Sequence, residues 1–530
     1  MRSYLNFLFI VLLVGLSSCN NKSDNIAELL NKKGLSNEEK LALIFENNYL
    51  APLGFTSLEV NWLKSVYNKR DNKPFFCEDT LLSAFGKINL NTINNSLAFG
   101  IPAARLKTNL TKQSSNLLQE LYLCVNSARM IEDLNMGCFD FGTKKLKESK
   151  ISTPEAFIKA MDEAKKISLE QLFLKQGPAD TNYRYLAMNL YKFCQKYPLD
   201  TTSFVYNNNL NDSSTNRNFL VKILKSKGYL KGNIIASEQL TIGLKEFQKD
   251  NGLTSDGVIN KNTITALAES THKKLLRAAI SLDKIRQSRI HQPKYIRINI
   301  AEYKLYFYSN DSLKSVNRIV VGKTSNQTPE LSSKITRIVV FPFWKVPATI
   351  CKNEALPAIK KNIAYLKRNH YKIYRENKVE VDPSTVDWKN MKNFPFSLIQ
   401  DPGSHNSLGI IKFEFNNPYS VYVHDTPSKS LFNRAVRNLS HGCMRCESPV
   451  ELARIIIQND RIGTKYNKII SDSLDSIIEK KANRSIFLKV PIPIFVYYQT
   501  VVADRNNVIF YLDVYAKDEE YLTLLQNKTK

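Results

Sequence analysis

VHDTPSKSLFNRAVRNLSHGCMRCE, from Val423 to Glu447, is the stretch around which the chain is organised. His424 and Cys443 stand nineteen residues apart in it, with Ser440, His441 and Gly442 leading into the cysteine. A cysteine is a strong nucleophile near neutral pH only as thiolate. A histidine within hydrogen-bond reach takes its proton and later returns one to a leaving amine. The run Tyr419-Ser-Val-Tyr-Val-His424 alternates as a strand does, which puts His424 at a strand end. Gly442 allows a tight turn before Cys443, so backbone N–H groups there can face a developing oxyanion. Cys446 falls outside this constellation and reads as a packing residue.

The ordered string His424-Asp-Thr-Pro, then Ser440-His-Gly-Cys-Met-Arg445, resembles the YkuD-type L,D-transpeptidases, whose signature is a His followed by S-H-G-C-x-R or S-H-G-C-x-N. The resemblance implies that Cys443 is the nucleophile and His424 its base. It implies an oxyanion and substrate-binding surface from Gly442, Tyr422, Ser440, His441 and Arg445. Arg445 either binds a substrate carboxylate bidentately or braces its loop. The implied reaction is acyl transfer: the thiolate attacks the carbonyl of the third residue of a tetrapeptide stem and D-alanine departs. An amine of a second stem then resolves the thioester into a 3→3 cross-link. Meso-diaminopimelate at the third position is an analogy only. No cofactor and no metal is called for. A hydrolytic carboxypeptidase on the same fold is the alternative, as is a wall-anchoring lipoprotein with an inert second domain. The C-G-S-C-W signature of papain-like proteases is absent.

Outward from the site, a β-rich domain over 295–515 is expected. Ile296 to Tyr308 reads as strand, turn and strand, and Arg318-Ile-Val-Val-Gly322 and Val339 onward continue the pattern. The alternation stops between about 350 and 397. There Asn353 to Leu366 is helix-like, and it resembles the capping insertion that large family members carry over the active site. Such a lid would screen an acyl-enzyme from water. Gly403, Asn406 and Gly409 mark a loop, with His405 a loop histidine. Ser448-Pro449 opens a helix whose positive end favours a thiolate just before it. Ile494 to Asp504 and Val508 to Leu512 read as a closing hairpin.

Residues 216–270 give a second strong signal. Leu244-Lys-Glu-Phe-Gln-Lys-Asp-Asn-Gly-Leu-Thr-Ser-Asp-Gly-Val258 and the residues to Leu267 resemble the three-helix peptidoglycan-binding type 1 domain. Leu244 and Phe247 are expected inside, Gly252 ends a helix, Asp256-Gly257 makes the turn and Thr263 opens the next helix. Asn260 stands where the family usually has Gly, a position an asparagine can fill in left-handed backbone. Residues 27–215 look mainly helical. Ser36 is a candidate N-cap with Glu39 three residues on, and Leu117 to Met136 has apolar residues at helical spacing. Val66 to Phe76 is faintly similar to the scaffold of the large Gram-negative (YcbB-like) subtype. The fold class expected is multidomain α+β: helical scaffold, three-helix module, and β-rich YkuD-type domain with a helical capping insertion.

The chain has 530 residues, enough for about three or four domains at roughly 150 each. Its 75 Lys and Arg against 49 Asp and Glu give +26, which suggests an anionic partner such as cell wall or a membrane face. No run of five basic residues occurs, which argues against nucleic acid. Met1 to Cys19 has one basic residue, an apolar core and small residues, as a secretory signal does. Leu16-Ser-Ser-Cys19 resembles a lipobox, implying lipidation of Cys19 and a periplasmic, membrane-anchored protein whose partners are peptidoglycan stem peptides. The other cysteines form no zinc pattern, and their pairing is not readable from spacing.

Overall fold

The structure is a computed structural model. It describes residue 26 and residues 28–526 except 48, 80, 108–114, 202–212, 233, 289–291, 376–378 and 461–473. Cys19 lies outside the described residues.

The first described part of the chain is mainly helical and includes α1 (Asn37–Glu46), α2 (Ser57–Asn68), α3 (Ala84–Asn94), α4 (Asn116–Met136), α5 (Pro154–Ile167), α6 (Leu169–Lys175) and α7 (Thr181–Lys196). Two short hairpins, β1 (Cys77–Glu78) with β2 (Leu81–Leu82) and β3 (Phe139–Asp140) with β4 (Lys145–Leu146), lie between them. Local chemistry sets the starts. Ser36 Oγ accepts from Glu39 N–H while Glu39 reaches back to Ser36 N–H, a full capping box, and Thr56 with Glu59 repeats it at α2. Pro154 sits at the first position of α5, where its missing N–H costs nothing. The helices enclose an apolar core through Leu63, Val66, Leu121, Val125, Phe157 and Phe173.

Three helices follow: α8 (Ser213–Ser226), α9 (Ser237–Asp250) and α10 (Lys261–Ala268). Leu244 and Phe247 are buried in a small core with Leu224, Leu230 and Leu267. Gly252 has φ 62° just past α9, and Gly257 has φ 77° in the turn. Gln248 ties that turn together: its Oε1 accepts from Gly257 N–H at 2.8 Å and its Nε2 donates to Val258 O at 2.8 Å. One expectation is corrected. Asn260 is extended (φ −131°), not left-handed, and its side chain caps α10 by accepting from the N–H groups of Asn262 and Thr263. An asparagine suits that place because its side chain satisfies two otherwise unpaired donors.

A long helix, α11 (Thr271–Gln287), joins the module to the β-rich part. Strands β5 (Lys294–Asn299), β6 (Lys304–Ser309), β7 (Ser312–Gly322) and β8 (Leu331–Val340) come next. The insertion then carries β9 (Trp344–Lys345), a π-turn over Cys351–Ala355, α12 (Leu356–Lys361), β10 (Tyr371–Tyr374), β11 (Glu380–Val381) and β12 (Ser397–Gln400). It is therefore not helical alone: its strands form a four-stranded sheet in the order β11-β10-β12-β9 over its own apolar core, which includes Leu356, Ile373 and Leu398. The main sheet resumes with β13 (Ile411–Phe415), β14 (Val423–His424), β15 (Asn438–Ser440) and β16 (Met444–Cys446). Helix α13 (Pro449–Asp460) and the long strand β17 (Arg484–Tyr497) complete it.

The order of the nine-stranded sheet is β15-β7-β16-β14-β13-β8-β17-β5-β6, and β6 pairs again with β7, so eight of the strands close into a ring. Alternate residues point inward: Ile296, Ile298, Phe307, Ile338, Phe413, Val423, Met444 and Cys446 meet Leu452, Ile456 and Ile457 of α13. Closure removes the free edges that an open sheet would expose. The expected closing hairpin is divided. Up to Tyr497 it belongs to β17, and after a bend at the buried residues Gln499 and Thr500 the chain forms a separate hairpin, β18 (Val501–Ala503) with β19 (Val508–Phe510). That hairpin packs on α7 and α11, and a last helix, α14 (Glu519–Gln526), buries Leu522 and Leu525 in the first helical core.

Candidate active site

β14 and β16 run side by side and parallel, with Val423 opposite Met444 and His424 opposite Arg445. Met444 N–H donates to Tyr422 O at 3.0 Å. Val423, Met444 and Cys446 fill the interior, so alternation puts Tyr422, His424, Cys443 and Arg445 together on the outer face. On the next strand Lys412 is opposite His424 and shares that face.

Tyr422 ties the cluster together. Its hydroxyl interacts with the Cys443 thiol and with Trp344 of the insertion. Its ring meets the His424 ring edge-on, with centroids 5.5 Å apart. The Lys412 ammonium sits 4.2 Å from the Tyr422 ring centre and pairs with Glu414 at 2.7 Å.

Electrostatics define the resting protonation state. Burial pushes the Cys443 thiol above its ordinary value, against smaller opposing effects from Tyr422, Lys412 and Arg445. Burial lowers His424 to about 3, helped by the positive charges of Arg445 and Lys412. Both groups are thus neutral near pH 7, a thiol beside a neutral imidazole. The expectation of a thiolate favoured by the following helix is corrected: α13 starts only at Pro449, six residues on, and desolvation dominates at Cys443. Among the described residues His424 Nδ1 is buried without a hydrogen-bond partner of good geometry, which leaves it free to handle a proton.

The turn before Cys443 is fixed from inside. Ser440 Oγ donates to Cys443 O at 2.6 Å and accepts from Gly442 N–H at 3.2 Å. Gly442 has φ 114°, which a residue with a Cβ rarely adopts. Thr328 Oγ1 donates to Gly442 O at 2.8 Å and accepts from Gly322 N–H at 2.9 Å, while Tyr515 holds Thr328 N–H at 3.2 Å. His441 is exposed and points to the insertion, where its Nε2 lies 2.6 Å from Glu354 Oε1. Arg445 is half-buried and forms no ion pair among the described residues. Asp425 is spent on structure, accepting from Ile410 N–H at 3.0 Å and pairing with Lys429 at 2.6 Å.

The cluster lies inside residues 293–464, which match the YkuD family, described as an L,D-transpeptidase catalytic domain. This part of the chain is a YkuD domain. Residues 213–267 match the family described as "Putative peptidoglycan binding domain". A Haemophilus influenzae protein named "Putative L,D-transpeptidase" is 32% identical over 226 residues, which is 42% of this chain and 45% of that protein. The match thus spans less than half of the curated relative. A solved L,D-transpeptidase from Stackebrandtia nassauensis is 13% identical, covering 53% of this chain and 90% of its own, but with a TM-score of 0.19 it carries no weight here.

All the site residues named from sequence except Cys19 fall on or beside this face of the YkuD domain. Lys412 stands outside the motif, and the alternation Ile411-Lys-Phe-Glu-Phe415 is the signal that marks it as outward-facing. Trp344, Thr328 and Glu354 come from segments 78 or more residues upstream of the site residues they touch, and no local pattern announces such contacts. His405, expected in a loop, lies against His370 with ring centres 3.7 Å apart.

Proposed function

We propose that the protein is an L,D-transpeptidase that forms 3→3 cross-links between peptidoglycan stems through a thioester on Cys443. The observation that supports this most is the grouping of Cys443, His424 and Tyr422 on one outer face of two paired strands, within the YkuD match. In this reading a neutral His424 takes the Cys443 proton as sulfur attacks the carbonyl of the third stem residue. The proton then passes to the nitrogen of the departing D-alanine, leaving the thioester. The Gly442–Cys443 backbone and the Tyr422 hydroxyl hold the oxyanion. Arg445 and Lys412 supply positive charge for a substrate carboxylate. The insertion, latched to His441 through Glu354, keeps water from the acyl-enzyme until an amine arrives.

The peptidoglycan-binding match over 213–267 favours wall as the partner. The Leu16-Ser-Ser-Cys19 motif favours a lipid anchor on Cys19 and a periplasmic location, in the manner of the large Gram-negative subtype. Muropeptide mass analysis tests the reaction. Incubation with tetrapeptide stems should yield 3→3 dimers and free D-alanine. Tripeptide monomers alone would replace this reading with a carboxypeptidase, and unchanged tetrapeptides would reject acyl transfer.

A further inference from the structure

Arg297 stands on the outer face of β5, opposite Tyr306 of β6 and next to Phe495 of β17. It is 9% exposed, yet among the described residues it forms no ion pair. Its one hydrogen bond goes from Nη2 to the Tyr497 hydroxyl at 3.1 Å, and its Nε has no partner. The other deeply buried arginines are provided for. Arg105 pairs with Asp133, Arg277 with Glu269 and Asp518, and Arg286 with Asp283. Arg437, without a carboxylate, donates to the carbonyls of Ile319, Tyr303 and Arg434. A guanidinium withdrawn from water and left with one tyrosine, whose hydroxyl accepts from it and whose ring centre lies 5.0 Å away, is costly unless an anion completes it. The carboxylate of Asp180, whose charge Arg297 feels, is already committed to capping α7, accepting from Tyr183 N–H at 2.9 Å.

Arg297 also borders a cavity. About 280 Å³ of space lies between the outer face of the ring and α7, walled by Tyr306, Tyr308 and Tyr497 from the sheet, Asn182 and Tyr185 from α7, and Gln499. That volume is near the lower end of ligand pockets, about 300 Å³, and suits a single ring. Flat aromatic faces, amides at the rim and one unsatisfied guanidinium form a set that recognises a sugar ring bearing an acid. The two carboxylates at the cavity are engaged: Glu302 is held by Lys304 at 3.0 Å and by the Tyr306 hydroxyl, and Asp504 accepts from the N–H groups of Asn506 and Asn507, while Lys304 and Arg505 add positive charge.

We propose that the cavity between β5, β6, β17 and α7 is a binding site for an anionic saccharide, whose carboxylate or phosphate pairs with Arg297 while its ring lies against the tyrosines. The site goes beyond the acyl-transfer reading and shares no residue with it. It would hold a sugar on the far side of the domain from Cys443.

Ligand-observed NMR on the full chain tests it with three probes: N-acetylmuramic acid, N-acetylglucosamine 1-phosphate and uncharged N-acetylglucosamine. At least one acidic sugar should bind ten-fold or more tighter than the neutral one. Preference for the carboxylate points to wall glycan stripped of its stem peptides as the source, and preference for the phosphate to an activated sugar. Arg297→Met should weaken the acidic probe by ten-fold or more, with Arg297→Lys intermediate. If Arg297→Met does not fold, Arg297→Lys and Asn182→Ala decide, each expected to lose several-fold. Equal binding of all three sugars, no binding, or an unchanged affinity in folded variants overturns the proposal. Thiol labelling of Cys443 should stay at the wild-type rate throughout, so failure of the saccharide site and failure of the acyl-transfer reading are read separately.

Discussion

Cys446 ends β16 and Cys443 stands in the turn just before it, three residues away, and the two point to opposite faces. Cys446 is fully buried in the interior, where burial pushes its thiol to about 12, while Cys443 faces outward beside Tyr422. Cys443→Ala should therefore lower acylation by about a thousandfold or more, whereas Cys446→Ala should leave the reaction and cost only stability. Intact-protein mass spectrometry after carbapenem treatment checks both, and an adduct persisting in Cys443→Ala would reject the assignment. The neutral resting pair has a further consequence. Iodoacetamide labelling of Cys443 should climb through pH 9 without the plateau at pH 5–7 that a thiolate–imidazolium pair would show. His424 adds a linkage effect. Its folded value of about 3 lies below the ordinary 6.5, so between those values the unfolded chain binds a proton that the folded chain refuses. Stability from this group is whole above pH 6.5 and is lost progressively as pH falls toward 3. Urea melts of the wild type and His424→Gln across that range should show a shallower acid loss in the variant.

The insertion and the three-helix module show what a sequence can and cannot reveal about elements. The module was readable because its signals are local: Gly252, Gly257 and the Gln248 turn lie within about ten residues of one another. The site motif was readable for the same reason, since Ser440 to Arg445 is one turn and one strand. The insertion's sheet escaped because its strands are short and pair over long separations, as with Trp344 opposite Gln400. Asn260 was misjudged because an asparagine serves both left-handed turns and N-caps, and only the following helix start distinguishes the two. Glu354 gives the insertion its tie to the motif turn. Both partners are partly exposed, so the bond is worth at most about 1 kcal/mol. Glu354→Ala should leave the melting temperature nearly unchanged while hydrogen exchange over 348–361 quickens, and an unchanged exchange rate there would dismiss the latch. In the module, Phe247→Ala should cost about 3–5 kcal/mol, measured by denaturant melts.

Arg277 of α11 is the point where the parts of the whole molecule meet. It is fully buried, pairs with Glu269 at 2.6 Å and Asp518 at 3.4 Å, and donates to Tyr511 O and Thr500. Arg277→Met should destabilise the protein by about 3–5 kcal/mol, because Glu269 loses its guanidinium partner and buried Asp518 keeps only Lys284, at 3.5 Å. Calorimetry should show the loss in the transition of both the helical and the β-rich parts. No sequence pattern marks this junction, since its members lie as far apart as residues 269 and 518. The path of the chain end has another meaning. Tyr521, Leu522 and Leu525 complete a core whose other members begin at residue 26 and include Leu41, Leu63 and Phe139. A ribosome therefore makes these pieces of the first core only after the whole YkuD domain has been made. Until then, the helices made earliest lack three of their core side chains, and a message cut before codon 521 would leave that apolar face uncovered.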